Sequence, residues 1–175
     1  MMRSLVIFFL VVVGTFIIDQ NLKEMAMDAV NGVRYATILE GSCINLELHY
    51  NDGVAFSMLS SLGENLKWVQ LVLILGILIY VFYDGYIKKY AFPIALIIGG
   101  AFGNLYDRFL VHKGVLPSGV EVEYYGVVDY VAWHCGFNFA VFNYADVMID
   151  LGVAIILLLT FLEYRKEKKH QSEVV

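Results

Sequence analysis

The chain has 175 residues, of which 59% are hydrophobic and only 17% charged; its mean hydropathy is +0.68 and its net charge −5. That is too apolar for an ordinary soluble domain, and the acidic balance argues against nucleic acid as a partner. Four hydrophobic runs, 4–18, 68–83, 90–106 and 147–162, approach the roughly 17–25 residues a bilayer crossing needs, and polar or aromatic flanks extend each one.

These runs predict a membrane α-helical fold of four transmembrane helices, at about 4–20, 66–84, 90–107 and 146–163, in one domain covering 1–165 with a tail at 166–175. The first run follows Arg3 in the manner of a signal peptide. It ends Ile17-Ile18-Asp19-Gln20, however, with no small-x-small cleavage site, and is read as retained. Next, "CINLELHY" (43–50) alternates strictly between apolar and polar, as a half-buried strand does. "EGS" at 40–42 turns it back on "VRYATIL" (33–39), and "NDG" at 51–53 ends it, so the segment of about 33–57 is expected to form a small extracytoplasmic β-sheet, a cradle on the outer membrane face. Ser61 and Glu64 have capping-box spacing before the second membrane helix. The outer loop of about 109–128 contains the turn signal "PSG" and the alternating stretch "VEVEYY" (120–125). There is no internal repeat, and the tail after about Glu163 reads as low in complexity.

Basic residues set the orientation. Arg3, Lys88, Lys89, Arg165, Lys166, Lys168 and Lys169 lie at the termini and in the short second loop, while Lys23, Arg34, Lys67, Arg108 and Lys113 are spread through the two long connections. The positive-inside rule places both termini in the cytoplasm and both long connections outside. Cys43 and Cys135 then face a compartment where a disulfide is permitted, although their spacing does not require one.

The strongly polar residues gather at that same outer face: Asp19 and Lys23, Asn51, then Asn104, Asp107 and Arg108, then Asp129, and finally Asn143 and Asp146. Intramembrane ionisable residues usually mark function. Plainer readings exist for most of them. Asp19 and Lys23, four apart, can simply pair. Asp107 and Arg108 can form an internal ion pair with Asn104 as hydrogen-bonding glue. Gly99 and Gly103 suit tight helix packing, and Asp146 suits a helix start. Asp129, inside "GVVDY", needs a partner or a role. There is no H-E-x-x-H, G-x-S-x-G or C-x-x-C, and His49, His112, His134 and His170 are scattered, so neither metal nor Ser/His chemistry is indicated. What remains is a pair of carboxylates sharing a proton, with one activating water and the other polarising a carbonyl. Two other classes compete with this hydrolase: a small ion- or proton-coupled transporter and a non-catalytic membrane assembly factor. Clustering of the polar residues at one face disfavours the transporter, and an assembly factor would tolerate replacement of either aspartate by asparagine where an aspartyl protease would not.

"DQNLK" (19–23), "NDGVAFS" (51–57), "GGAFGNLYDR" (99–108), "GVVDY" (126–130) and "FNYAD" (142–146) resemble, in order, the signature blocks of bacterial lipoprotein signal peptidase, signal peptidase II. The resemblance implies a cofactor-free aspartyl endopeptidase of the inner membrane, monomeric, inhibited by globomycin-type cyclic peptides. Such an enzyme removes the signal peptide from diacylglyceryl-modified prolipoproteins just before the lipidated cysteine. It also implies that Asp129 and Asp146 are catalytic, and that Asp19, Lys23, Asn51, Gly53, Asn104, Arg108 and Asn143 bind substrate or support the pair. Three features depart from the pattern. Asp52 adds a charge between Asn and Gly, Ala140 replaces a common proline, and the 109–126 connection is longer than usual and is expected to add a hairpin beside the site. Asp150, one turn beyond Asp146, is not counted as catalytic, and a hydrogen bond to another helix is its expected role.

Overall fold

The computed structural model describes residues 2–53, 60–137 and 139–173. Four long helices dominate them: α1 (Met2–Ala29), α2 (Leu66–Tyr83), α3 (Ile87–Phe109) and α4 (Tyr144–Glu173). Five strands complete the order, β1 (Thr37–Leu39), β2 (Ile44–Asn51), β3 (His112–Val115), β4 (Glu121–Tyr124) and β5 (Val127–Trp133). α1, α2 and α4 are long and apolar enough to cross a membrane. They leave side chains such as Leu10, Val72, Ile79 and Leu157 exposed, as suits helices that meet lipid.

α3 is the central helix. It packs on α1, α4 and α2, and it is the most buried of the four. Small residues let its neighbours approach: a Cβ on Gly99 would lie 2.8 Å from the Thr15 Cβ, and one on Gly103 would lie 2.3 Å from Asp19 Oδ2. The packing reading of the G-x-x-x-G spacing therefore holds. Gly103→Ala is expected to destabilise the protein by about 1–3 kcal/mol through this overpacking, read as a lowered melting temperature in detergent. An unchanged melt would show that α1 can shift without cost. α3 also bends at Tyr90, three residues before Pro93, whose ring crowds the carbonyl one turn back.

β1, β2 and β5 form an antiparallel sheet with β2 in the middle, and β3 and β4 form a separate hairpin. In the β2–β5 register, His49 faces Asp129 and Asn51 faces Val127. Gly126 makes the turn into β5 with φ +109°, and a Cβ there would sit 2.4 Å from the Asn51 carbonyl oxygen. One side of the sheet, with Leu48, Tyr50 and Val128, packs on Ala26 near the end of α1. A disulfide joins Cys43, just before β2, to Cys135, just after β5.

Several local expectations are corrected. The strand expected over 33–39 shrinks to Thr37–Leu39, because Tyr35 takes a left-handed φ of 63° and the register with β2 then shifts. α2 begins at Leu66 with Asn65, not position 61, at its N-cap; a six-residue 3-10 stretch, Ser60–Asn65, precedes it. The fourth helix, expected as a span of about 146–163, runs on to Glu173. Residues 54–57 of the expected β-rich segment lie outside the described residues. The added connection does form a hairpin, but none of its residues lines the cavity described below. It stacks His112 and Tyr124 on Tyr50, with Tyr50–Tyr124 centroids 4.6 Å apart, and Val115 N–H bonds the Asn31 carbonyl at 2.9 Å.

Candidate active site

The polar residues expected from the sequence converge where α1, α3 and α4 meet the sheet. They form two layers. The inner layer centres on Lys23, which is 1% exposed. Its ammonium reaches Asp19 Oδ2 at 2.7 Å, Asp107 Oδ2 at 2.8 Å and Asn104 Oδ1 at 3.0 Å, so all three of its protons have acceptors. Gln20 donates to both Asp19 and Asp107, at 3.1 and 3.2 Å. The two carboxylates also hold backbone from elsewhere. Asp19 Oδ1 accepts Ala145 N–H at 3.0 Å, which fixes the start of α4, where an anion also meets the positive end of the helix dipole. Asp107 Oδ2 accepts Val128 N–H at 3.1 Å, which fixes β5 one residue before Asp129.

The outer layer is a ring of amides around two aspartates. Asp129 Oδ2 accepts Asn51 Nδ2 at 3.0 Å, and its Oδ1 accepts Asn143 Nδ2 at 2.7 Å. Asp146 Oδ1 accepts Asn104 Nδ2 at 2.8 Å, and its Oδ2 accepts Asn143 N–H at 3.1 Å. Asn143 Oδ1 in return accepts Asp146 N–H at 3.0 Å, a reciprocal N-cap box at the head of α4. Asn143 thus holds both aspartates, and Asn104 joins this ring to Lys23. Burial first, then the charge of Asp146, pushes Asp129 up to about 7, against hydrogen bonds from Asn51 and Asn143 that favour its carboxylate.

Both aspartates line a cavity of about 630 Å³, together with Asn51, Gly53, Asn104 and Arg108. Arg108 donates to the Gly53 carbonyl and, at 3.3 Å, to its own-turn Asn104 carbonyl. Gly53 N–H in turn donates to Asn51 Oδ1 at 3.0 Å. The remaining walls are largely apolar and come from α2, α4 and the 139–142 segment, which includes Ala140. Of the residues expected from the sequence, Asp129, Asp146, Asn51, Gly53, Asn104 and Arg108 meet at the cavity. Asn143 sits fully buried behind it, and Asp19 and Lys23 lie one layer deeper.

Two expectations change. Asp107 pairs with Lys23 on α1 and with the β5 backbone instead of its neighbour Arg108, since consecutive helical residues point about 100° apart. Asp150 makes no hydrogen bond to another helix among the described residues; its side chain lines the cavity. Asp107 and Gln20 are the supporting residues that sequence reasoning did not assign. Helical spacing does place Asp19, Gln20 and Lys23 near one another, and that signal pointed to the cluster.

The arrangement is one able to hold a water between two carboxylates at the boundary between an apolar cavity and a polar ring. Residues 11–162 match the family model for signal peptidase (SPase) II. A lipoprotein signal peptidase of Sulfurovum sp. (strain NBC37-1) is 57% identical over 91% of this chain and 96% of its own length. That of Sulfurimonas denitrificans is 50% identical over 91% and 90%, and that of Helicobacter pylori (strain Shi470) 39% identical over 95% and 94%. Two solved bacterial membrane enzymes superpose with TM-scores of 0.67 and 0.63, at 26% and 27% identity. The first alignment covers 90% of this chain and 88% of the other, the second 87% and 91%. The chain belongs to the signal peptidase II family and is a membrane aspartic peptidase.

Proposed function

We propose that this protein removes the signal peptide from diacylglyceryl-modified prolipoproteins, cleaving just before the lipidated cysteine, with Asp129 and Asp146 as the catalytic pair. The observation that carries the reading is that both carboxylates, held by one asparagine, open on a single cavity with apolar walls. Asp146 takes a proton from water as the oxygen attacks the scissile carbonyl, while the protonated Asp129 donates a hydrogen bond to the carbonyl oxygen. As the tetrahedral intermediate collapses, Asp129 passes its proton to the cysteine nitrogen and the peptide C–N bond breaks, and the proton that Asp146 took from water restores the acid form of the pair. Asn51, Asn104 and Asn143 orient the pair, Arg108 and Gly53 brace the rim, and Asp19 and Lys23 support the layer below.

The same reading places four helices across the bacterial inner membrane, with α3 as the fourth span. Its burial among the other three is the reason its own surface is less apolar. Both termini then face the cytoplasm and the site the periplasm, in keeping with the basic residues at the opposite end, where Lys89 pairs with Glu163. The enzyme acts as a monomer and binds globomycin-type cyclic peptides in the same cavity.

The test is cleavage by purified, detergent-solubilised protein. A diacylglyceryl-modified prolipoprotein should be cut at the cysteine and its unmodified precursor left intact. A well-folded preparation that cuts neither, beside a family member that does, would overturn the proposal.

The pH profile supplies a further prediction. The acid form of Asp129 is lost as pH rises through about 7, so kcat/KM should fall on the alkaline side of neutrality. Asn51→Ala removes a hydrogen bond that favours the carboxylate, so the alkaline limb should move to higher pH. A limb that stays in place would assign the titration to another group.

A further inference from the structure

The reaction uses Asp129 and Asp146, but the same cavity is lined by two other polar groups with no assigned work. Asp150 lies exposed on α4 one turn beyond Asp146, and Gln70 lines the same cavity from α2, as do apolar residues such as Leu73, Val147 and Ile149. The acceptors near the reacting centre are already engaged: each oxygen of Asp129 and Asp146 takes a hydrogen bond from an amide of the protein. Asp150 takes none among the described residues. Gln70 donates through Nε2 to the Ala101 carbonyl at 3.1 Å, which leaves its Oε1 shielded from water and without a donor. The orphaned Gln70 oxygen is costly unless an occupant supplies the missing N–H, and the exposed Asp150 carboxylate is open to a second donor.

The substrate has the complementary deficit. A membrane helix satisfies its own backbone, but the stretch that enters a peptidase site must unwind, and its N–H groups then lack partners in a medium without water. We infer that Asp150 and Gln70 are substrate-positioning residues that accept backbone N–H groups of the unwound segment on the signal-peptide side of the scissile bond. This inference rests on the proposed peptidase function and deepens it. Neither residue touches the reacting atoms, so the effect falls on KM and leaves kcat in place. Asp150→Asn keeps an acceptor oxygen at this position, whereas Asp150→Leu removes it.

The experiment uses the full chain in detergent and short synthetic diacylglyceryl lipopeptides, each with one backbone amide upstream of the cleavage site N-methylated. Wild-type cleavage of the unmethylated peptide establishes the peptidase reading by itself, and its absence would defeat that reading before the present one is reached. With cleavage established, Asp150→Leu and Gln70→Leu should each raise KM by about tenfold, and Asp150→Asn should restore most of the loss. One N-methyl position should cost wild type a similar factor and cost Asp150→Leu almost nothing, since the bond is already absent. Additive penalties at every position would overturn the inference. So would an Asp150→Asn variant that shifts the pH profile without changing KM, because Asp150 would then act on the catalytic pair. If Asp150→Leu does not fold, the N-methyl scan against wild type and Asp150→Asn still decides: no sensitive upstream amide means no such acceptor.

Discussion

Asp129→Asn and Asp146→Asn are each expected to abolish cleavage of a diacylglyceryl-modified prolipoprotein, with losses of roughly 10³-fold or more, the upper part of the range for removing a general acid or base. Asparagine is nearly isosteric with aspartate but can neither take a proton from water nor hand one to a leaving nitrogen. The surroundings add a second effect. Both oxygens of Asp146 accept protein N–H groups, one from Asn104 and one from the Asn143 backbone. An asparagine there must point its own NH₂ at one of them. The Asn143 backbone is not free to turn, and Asn104 is tied through its oxygen to Lys23 and Asn143, so Asp146→Asn sets donor against donor. Asp129 faces two amide side chains, Asn51 and Asn143, and Asn51 is the freer to rotate because, among the described residues, its side chain's other bond is to Gly53 N–H alone. Asp146→Asn should therefore lose more thermal stability than Asp129→Asn, while both lose activity. Melting curves beside the cleavage assay separate the two losses. Wild-type-like cleavage by either well-folded variant would break the dyad assignment and leave the step to another carboxylate.

How much of this was legible beforehand depended on whether the signal was local. The apolar runs of α1, α2 and α4 are continuous, and the polar rim follows from where those runs stop. β2 declares itself through alternation. β5 does not. "VVDYVAW" is an almost unbroken apolar run around one charge, and its strand partner, β2, lies far upstream in sequence; Asn51 and Asp129 are 78 positions apart. The Cys43–Cys135 bridge is hidden for the same reason, with a separation of 92. Among site residues, Asp129 and Asp146 stood out as charges in apolar sequence, but their pairing came from family resemblance, because no spacing rule relates a strand residue to a helix start. Asp107 was misjudged since its true partner, Lys23, sits on a different helix. Gln20 went unassigned because helical spacing puts it beside the Asp19/Lys23 pair without giving a single glutamine a role. Asp150 was the opposite case: its place on the Asp146 stripe was plain, but whether that stripe met protein or cavity depended on where α2 packed.

Lys23→Met is expected to cost about 3–5 kcal/mol of stability, the scale for removing one partner of a buried ion pair, and to abolish activity with it. Methionine matches the length of lysine and fills the space, so packing loss is small. What remains is two buried carboxylates, Asp19 and Asp107, whose shared cation is gone; Asp19 is 0% and Asp107 1% exposed. Gln20 still donates to both but brings no charge. Their repulsion acts on the two backbone bonds that aim the catalytic pair, Asp19 to Ala145 at the head of α4 and Asp107 to Val128 in β5. Neutralising them should therefore repair what removing Lys23 breaks. The triple variant Lys23→Met/Asp19→Asn/Asp107→Asn is expected to melt closer to wild type than Lys23→Met alone, because most of the penalty is the uncompensated charge and not the lost attraction. Thermal unfolding in detergent measures both. A triple variant no more stable than Lys23→Met would mean that geometry dominates: Lys23 would then hold the site through its three directed hydrogen bonds, and carboxylate oxygens would be needed at Ala145 and Val128 whatever their charge.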